Sequence, residues 1–156
     1  MTNPAIKTQL KDYIVGLMHI GHLVDDLDAA VASFKKVYGI TDNDIRLEPP
    51  VGVIPPGGIM TRFAFVNVQG TEFELIEPVS DYFKDILGKS PCGGAGINHV
   101  AWQVRDIDQC MAVLTEHGIK PGHVTPGGVV TFGVKKLVYL DPQTTDGILI
   151  ELIELL

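Results

Sequence analysis

The sequence predicts an α+β fold in which two βαβββ modules form a shared, partly closed barrel-like sheet with the helices outside. The stretch that begins at His19 resembles the stretch that begins 80 residues later at His99. The letters Glu74-Leu-Ile-Glu77 recur as Glu151-Leu-Ile-Glu154. The histidine precedes the first of these glutamates by 55 residues in one half and by 52 residues in the other. Two matches in the same order at nearly equal separation indicate an internal duplication.

The matched stretches define the expected domain organisation. Four pairs are identical: His19/His99, Val24/Val104, Asp26/Asp106 and Asp28/Asp108. A single βαβββ module leaves one sheet face uncovered, whereas two modules side by side can share a core. We therefore expect one domain over residues 1–156, made of a repeat module at 13–80, a connector at 81–96 and a repeat module at 97–156.

In the first module, a strand over 15–24 leads to Asp26, a residue type that caps helix N-termini. The apolar residues that follow have the i, i+3, i+4, i+7 spacing of an amphipathic helix: Leu27, Ala30, Val31 and Phe34. Gly39 is a typical helix stop. Strands are expected at 45–47, 61–68 and 72–76, separated by Pro and Gly clusters.

The second module has the same order. A strand over 97–104 leads to Asp106, and a helix follows with the same apolar spacing at Ile107, Cys110, Met111 and Leu114. Gly118 ends that helix. Strands are expected at 122–124, 129–140 and 147–153, and the connector holds a helical turn over 81–87.

Composition excludes several classes of protein. The chain has 12 Lys+Arg against 19 Asp+Glu, a net charge of −7, and 46% hydrophobic residues, which is typical of a globular domain. Without a basic cluster, no nucleic-acid or anionic-membrane partner is expected. No apolar run is long enough to span a membrane, and because the N-terminal apolar run at 13–18 is short, we expect no signal peptide. Cys92 and Cys110 give no disulfide framework, so a reducing cytoplasm is the simplest location.

The repeated residues also predict a metal centre. Each module has a histidine in its first strand, His19 or His99, and a glutamate in its last strand, Glu74 or Glu151. Pseudo-twofold pairing of the modules would bring the four side chains together, as a mixed nitrogen and oxygen ligand set for Zn, Ni, Co, Mn or Fe. Glu154 has apolar neighbours two residues away, as Glu151 has, so alternation alone does not choose between them.

These residues lie in segments that resemble the vicinal oxygen chelate superfamily, which groups glyoxalases, bleomycin resistance proteins and dioxygenases, and within it the methylmalonyl-CoA epimerases. The similar segments start at His19, Phe65, Glu74, Gly96 and Tyr139, and the last one, Tyr139-Leu-Asp-Pro through Gly147-Ile-Leu-Ile-Glu-Leu152, is the most specific. The resemblance implies that the metal ligands are His19, Glu74, His99 and Glu151, and that the protein is a homodimer. Glu74 also fits the ligand set of glyoxalase I.

The function expected from the resemblance is abstraction of a proton α to a carbonyl through a metal-stabilised enolate, by an epimerase, isomerase or lyase acting on a small carbonyl compound or thioester, such as an acyl-CoA. The epimerases carry a catalytic glutamate in a Pro-Glu-x-Gly element, but the corresponding stretch here, Pro55-Pro-Gly-Gly-Ile59, has no carboxylate. Glu48 is the nearest upstream acid and is expected at the surface of a loop. Glutamates that detach from the metal, Glu151 or Glu74, are therefore the candidate bases.

The remaining polar residues have lesser expected roles. Gln103 shares a strand face with His99 and is a candidate donor to a substrate oxygen. His22, His117 and His123 are expected to be structural. Three alternatives within the superfamily stay open: a glyoxalase I-like lyase, a ring-cleaving dioxygenase with a two-histidine, one-carboxylate iron site, and a metal-free resistance protein that binds a small molecule.

Overall fold

The computed structural model describes residues 8–156, so residues 1–7 of the predicted domain lie outside the description. Its helices are α1 (Leu27–Tyr38), α2 (Asp81–Gly88) and α3 (Ile107–Glu116). Its strands are β1 (Ile14–Leu23), β2 (Ile45–Glu48), β3 (Thr61–Val68), β4 (Thr71–Pro78), β5 (Gly96–Val104), β6 (Val130–Phe132), β7 (Lys135–Tyr139) and β8 (Ile150–Leu155). The order is βαβββ twice with α2 between, so the predicted α+β class and its two modules are confirmed.

The chain forms two compact units. The first unit is His19–Val100, and the second unit joins residues 8–18 with Ala101–Leu156. In the first unit, hydrogen-bonded strands follow the order β2-β3-β4-β1, with β3 antiparallel to both neighbours and β1 parallel to β4. In the second unit the order is β5-β8-β7-β6, with β7 antiparallel to both neighbours. Residues 101–104 of β5 belong to this unit, whereas residues 96–100 belong to the first.

Helix α1 packs on one face of the sheet in the first unit. The buried cluster beneath it consists of Val24, Leu27, Ala64, Val66 and Leu75. The helix begins where Asp26 accepts a hydrogen bond from the backbone N–H of Ala29 at 3.0 Å, as its type predicts. It ends at Gly39, whose φ of +68° is left-handed, a conformation that glycine adopts without strain.

Helix α3 has the same relation to the sheet of the second unit. Its apolar side chains join a buried cluster that includes Ile107, Cys110, Val138 and Leu152. Asp106 caps the helix by accepting from the backbone N–H of Gln109 at 3.2 Å. Leu75 and Leu152, the matched leucines of the two Glu-Leu-Ile-Glu segments, are both on the helix side of their strands, so the adjacent glutamates Glu74 and Glu151 are on the opposite sides.

Three predicted strands of the second module had wrong bounds. Residues 122–124 form no strand, because the chain there makes only an isolated bridge between Pro121 and Leu140. The predicted strand over 129–140 is the hairpin β6–β7, which turns at Gly133 with a φ of +59°. The last strand starts at Ile150 instead of residue 147, because a 3₁₀ turn at Pro142–Thr144 and the left-handed Gly147 delay the extended chain.

The connector and the cysteines agree with the sequence-based expectations. Helix α2 begins where Ser80 accepts from the backbone N–H of Phe83 at 3.3 Å. Cys92 and Cys110 are both free thiols. Burial, with the nearby acids Asp106 and Glu154, raises the pKa of Cys110 to about 11. No helix among residues 8–156 is both long and apolar enough to cross a membrane.

Candidate metal centre

Three of the predicted ligands converge in the first unit. Nε2 of His19 lies 3.0 Å from Oε2 of Glu74 and 3.1 Å from Nε2 of His99. Nε2 of His99 lies 3.5 Å from the same Glu74 oxygen. All three side chains are buried. The donor atoms come from β1, β4 and β5, three strands that are widely separated in the sequence.

The separations of these atoms fit a coordinated divalent ion. Ligands about 2.1 Å from an ion lie about 3.0 Å apart when they are at right angles and about 3.4 Å apart when they are tetrahedral. The observed separations of 3.0, 3.1 and 3.5 Å lie within about 0.1 Å of these two values or between them. Lone pairs that face one another this closely repel unless a proton or a metal ion is shared between them. This buried group of imidazoles and carboxylate can therefore hold a metal ion.

The surroundings of Glu74 keep its side chain ionised. Burial alone would raise the pKa of this carboxyl group, but His19 and His99, when they are protonated, donate hydrogen bonds and positive charge that outweigh burial and lower the pKa to about 2. Glu74 is therefore an anion at neutral pH, which is the form that binds a metal.

Two residues that the sequence analysis did not single out hold the ring of His99. Nδ1 of His99 lies 3.0 Å from Oδ1 of Asn98, within a buried pair. On the other side, a Cβ built on Gly21 would lie 2.1 Å from Cε1 of His99, so the imidazole occupies the space that any side chain at position 21 would need. The register of β1 and β4 brings Gly21 opposite Glu74. Gly21 lies in the similar segment that starts at His19, but the resemblance assigned it no role.

The second glutamate of each repeated segment has a separate task. Oε2 of Glu77 accepts a hydrogen bond from the backbone N–H of Leu27 at 2.6 Å, and Oε2 of Glu154 accepts from the backbone N–H of Ile107 at 2.9 Å. Each therefore caps the helix of its own module. Glu154 is thus committed to α3. Glu151 lies on β8 of the second unit, 3% exposed, opposite Tyr139 of β7.

Glu48 is not the loop residue that was expected. It is the last residue of β2, opposite Phe63, and its side chain is paired with Arg46. Arg46 is opposite Phe65, which in turn is opposite Glu74. Directly opposed residues share a sheet face, so Glu48 and Arg46 are on the same side of this sheet as Glu74. Arg46 also lies over the ring of Phe65, 4.1 Å from its centre.

The other histidines have surroundings of their own. His22 packs against Phe34 of α1 with ring centres 5.9 Å apart, and partial burial lowers its pKa. His117 follows α3 and contacts the carbonyl of Thr8 at 3.4 Å. His123 is half-buried in the segment before β6. Gln103 is half-buried on β5, in the second unit.

Residues 18–133 match the family model of the glyoxalase/bleomycin resistance protein/dioxygenase superfamily. The chain belongs to this superfamily. The resemblance read from the sequence is therefore confirmed at the level of the superfamily.

Members with assigned activities point to one branch of the superfamily. Ethylmalonyl-CoA/methylmalonyl-CoA epimerase of Cereibacter sphaeroides is 29% identical over 87% of this chain and 95% of its own length. Mitochondrial methylmalonyl-CoA epimerase of Dictyostelium discoideum is 28% identical over 88% of this chain and 77% of its own length. These relatives are enzymes, and the prediction of an enzyme of the glyoxalase superfamily agrees with them.

A solved structure gives the same fold. Methylmalonyl-CoA epimerase from Mycobacterium tuberculosis superposes with a TM-score of 0.66 at 22% identity, over 98% of this chain and 94% of that one. A second solved epimerase, crystallised with methylmalonyl-CoA and NH₄⁺, superposes with a TM-score of 0.59 at 20% identity, over 90% of this chain and 94% of that one. The fold predicted from the repeat is thus the fold of these superfamily members.

Proposed function

We propose that this protein is a metal-dependent epimerase that removes and returns the proton α to the thioester carbonyl of a methylmalonyl-CoA-like acyl-CoA. The observation that carries the proposal is the convergence of Nε2 of His19, Nε2 of His99 and Oε2 of Glu74 within 3.5 Å of one another. The names of the curated relatives supply the substrate class. The substrate is the part of the proposal that depends on similarity.

The proposed ligand set is His19, Glu74, His99 and Glu151. Glu151 is included because it matches Glu74 in the repeat and because its carboxylate is buried on the side of β8 away from α3. A buried carboxylate is stabilised when it binds a cation. A divalent ion held by these residues would supply positive charge next to the carbonyl oxygen that becomes negative when the α proton leaves.

The proton must be accepted by a residue of this chain. The superfamily resemblance gives Glu151 and Glu74 as candidates, through detachment of a carboxylate from the ion. The shared sheet face adds Glu48 as a third candidate. Its side chain is paired with Arg46, so Glu48 would have to release that contact before it could reach a substrate proton.

Gln103 is proposed to donate a hydrogen bond from its amide to a substrate oxygen. Its half-buried position on β5 leaves part of the side chain accessible. Replacement by Leu should raise the KM for the substrate more than it lowers kcat, because this contact would form in the ground state as well as in the transition state.

Several finer predictions belong to the same proposal. The metal is one of Zn, Ni, Co, Mn or Fe, and elemental analysis of the purified protein identifies it. The single domain of two modules, the homodimer and the cytoplasmic location stay predictions. Light scattering coupled to size-exclusion chromatography measures the mass of the assembly and so tests the dimer.

The reaction is tested by following deuterium uptake. The protein is stripped with a chelator, reloaded with each candidate ion and incubated with methylmalonyl-CoA in D₂O. With the metal-loaded protein, we expect the acyl group of the substrate to take up one deuterium at the α position. With the stripped protein, we expect this uptake to occur only at the background rate. If the loaded protein exchanges the α hydrogen of both methylmalonyl-CoA and ethylmalonyl-CoA no faster than the background rate, the epimerase proposal is refuted. Oxygen consumption with iron would instead favour the dioxygenase alternative.

The base is identified with three Gln variants, Glu48→Gln, Glu74→Gln and Glu151→Gln. An amide keeps an oxygen that can bind a metal but does not accept a proton at neutral pH. The variant that lacks the base should keep its metal and lose deuterium exchange by about 10²–10⁴-fold. Glu77→Gln is the matched control, since Glu77 is on β4 with Glu74 but caps α1.

A further inference from the structure

The hydrogen bond between His99 and Asn98 determines which ring nitrogen of His99 carries hydrogen. An amide oxygen only accepts, so the 3.0 Å contact between Nδ1 of His99 and Oδ1 of Asn98 requires that Nδ1 donates. In the neutral ring, Nε2 then has a free lone pair. That lone pair faces Nε2 of His19 at 3.1 Å and Oε2 of Glu74 at 3.5 Å.

A further contact fixes the orientation of the Asn98 amide. Its nitrogen lies 3.7 Å from Sγ of Cys92 and donates to it, and this thiol donates to the carbonyl oxygen of Gly94 at 3.1 Å. Reversing the amide would bring its NH₂ group against Nδ1 of His99 and its oxygen against the sulfur. The observed orientation satisfies both ends of the amide within a buried site.

Gly21 restricts the same ring from another side. A Cβ at this position would meet Cε1, Nδ1 and Nε2 of His99 at 2.1, 2.3 and 2.6 Å. The edge of the imidazole is therefore packed directly against the backbone of β1. Asn98 thus determines which nitrogen of the His99 ring carries hydrogen, and the missing side chain of Gly21 leaves the space in which the ring lies.

We propose that Asn98 is a positioning residue that keeps His99 in the Nδ1–H form, with the Nε2 lone pair aimed at the metal centre, in the space left by Gly21. The inference rests on the metal centre of the proposed function. Histidines that bind metals usually donate from the other ring nitrogen to a fixed acceptor, which orients the ring and makes the binding nitrogen more basic. Here a side-chain amide adjacent in sequence to the ligand provides that acceptor.

Three variants test this role. Asn98→Leu keeps the approximate volume and removes the acceptor, whereas Asn98→Asp keeps an acceptor oxygen. Asn67→Leu is the matched control, because Oδ1 of Asn67 also accepts a hydrogen bond, at 3.0 Å from the backbone N–H of Gly70, but in a turn. The control should lose stability in thermal unfolding without any change at His99.

Two readouts are needed. Long-range ¹H–¹⁵N correlation NMR of the metal-free protein reports which nitrogen of His99 carries hydrogen, and isothermal titration with Zn²⁺ reports affinity. We expect the Nδ1–H form in the wild type and in Asn98→Asp. In Asn98→Leu we expect a mixture of the two forms and a Zn²⁺ affinity lower by about 10–100-fold.

The outcomes separate this inference from the proposed function. If Asn98→Leu keeps both the Nδ1–H form and the wild-type affinity, the role of Asn98 is refuted while the metal centre stands. If the wild type binds no Zn²⁺ yet its His99 is in the Nδ1–H form and changes in Asn98→Leu, the metal centre fails and the control of the ring by Asn98 stands. Failure of Asn98→Asp to restore the wild-type form would also count against the role of Asn98.

Discussion

In both units, a basic residue on the helix side of the sheet lies opposite the glutamate that caps the helix and pairs with an aspartate of that helix. The basic residue is an arginine in one unit and a lysine in the other. In the first unit, Arg62 lies 3.1 Å from Asp28 and 3.3 Å from Glu77, which caps α1. In the second unit, Lys136 occupies the corresponding position, opposite Glu154 in the register, and lies 2.9 Å from Asp108.

The difference follows from the geometry of the two side chains. The planar guanidinium of Arg62 presents several N–H groups and bridges two carboxylates, whereas the ammonium of Lys136 is a compact point charge. Both units thus retain a helix-capping glutamate with a basic residue opposite it. They differ in the number of carboxylates that the basic residue pairs with. In both units the last glutamate of the repeated segment serves the helix, so a substitution there should affect stability and not the metal centre.

The largest effect is expected when Glu74 and Glu77, the two glutamates at the ends of the repeated segment in β4, are replaced one at a time. Glu74→Ala should abolish stoichiometric metal binding and lower the deuterium exchange rate by at least about 100-fold, since a charged ligand and its electrostatic contribution are lost. Glu77→Ala should instead lower the free energy of unfolding by about 1–2 kcal/mol, because the N-terminus of α1 loses a partner. Elemental analysis and urea denaturation measure the two quantities. Equal loss of metal in both variants would contradict the division of roles.

The next effect concerns the matched core leucines. Leu75→Ala and Leu152→Ala should each lower the free energy of unfolding by about 2–5 kcal/mol, since both side chains are fully buried and each truncation leaves a cavity. The two leucines are in separate core clusters. Their effects should therefore add within about 0.5 kcal/mol in the double variant.

Urea denaturation of the single and double variants measures this additivity. Leu155→Ala is the control, because Leu155 is 49% exposed and should change stability little. A coupling much larger than the expected error would show that the two clusters do not behave independently.

A smaller effect, on Zn²⁺ affinity, is expected when Gly21 is replaced by the residue found at the matching position of the second module. Gly21 in the first module corresponds to Ala101 in the second. Gly21→Ala should displace the His99 ring and lower Zn²⁺ affinity by about 10–100-fold. Gly16→Ala is a matched control on the same strand, where an added Cβ meets nothing within 4 Å. Calorimetry that found equal affinity in both variants would show that the ring tolerates the displacement.

The smallest effect tests the two basic residues directly. Arg62→Gln should lower the free energy of unfolding by less than about 1 kcal/mol, because the ion pairs of Arg62 are partly exposed to water and screened. Lys136→Gln should lower stability by less than Arg62→Gln, since Lys136 is paired with Asp108, whose side chain is 62% exposed. Denaturation at low and high salt measures both. A larger loss for Lys136→Gln than for Arg62→Gln would reverse the comparison drawn here.

The duplication in the sequence was sufficient to predict the class of fold. His19 matches His99, and the repeated Glu-Leu-Ile-Glu segments close both modules, so element order followed from aligning the chain on itself. The caps Asp26 and Asp106 and the stop at Gly39 also followed, because they act through neighbours within a few residues. The strands that were predicted wrongly fell in 122–153, where Gly133 and Gly147 interrupt what reads as extended chain, and Glu48 proved to end a strand instead of lying in a loop.

The sequence by itself determined which residue types recur, and hence that two histidines and two glutamates were candidate ligands. Only the tertiary structure decided that Glu154 caps α3, that Glu48 shares a face with Glu74, and that Asn98 and Gly21 hold the ring of His99. The physical reason is that aspartate caps and periodic faces are set by contacts a few residues apart, whereas the cap by Glu154 and the space around the His99 ring depend on residues 47 and 78 positions away. The register of the strands brings those residues together, and no local pattern encodes it.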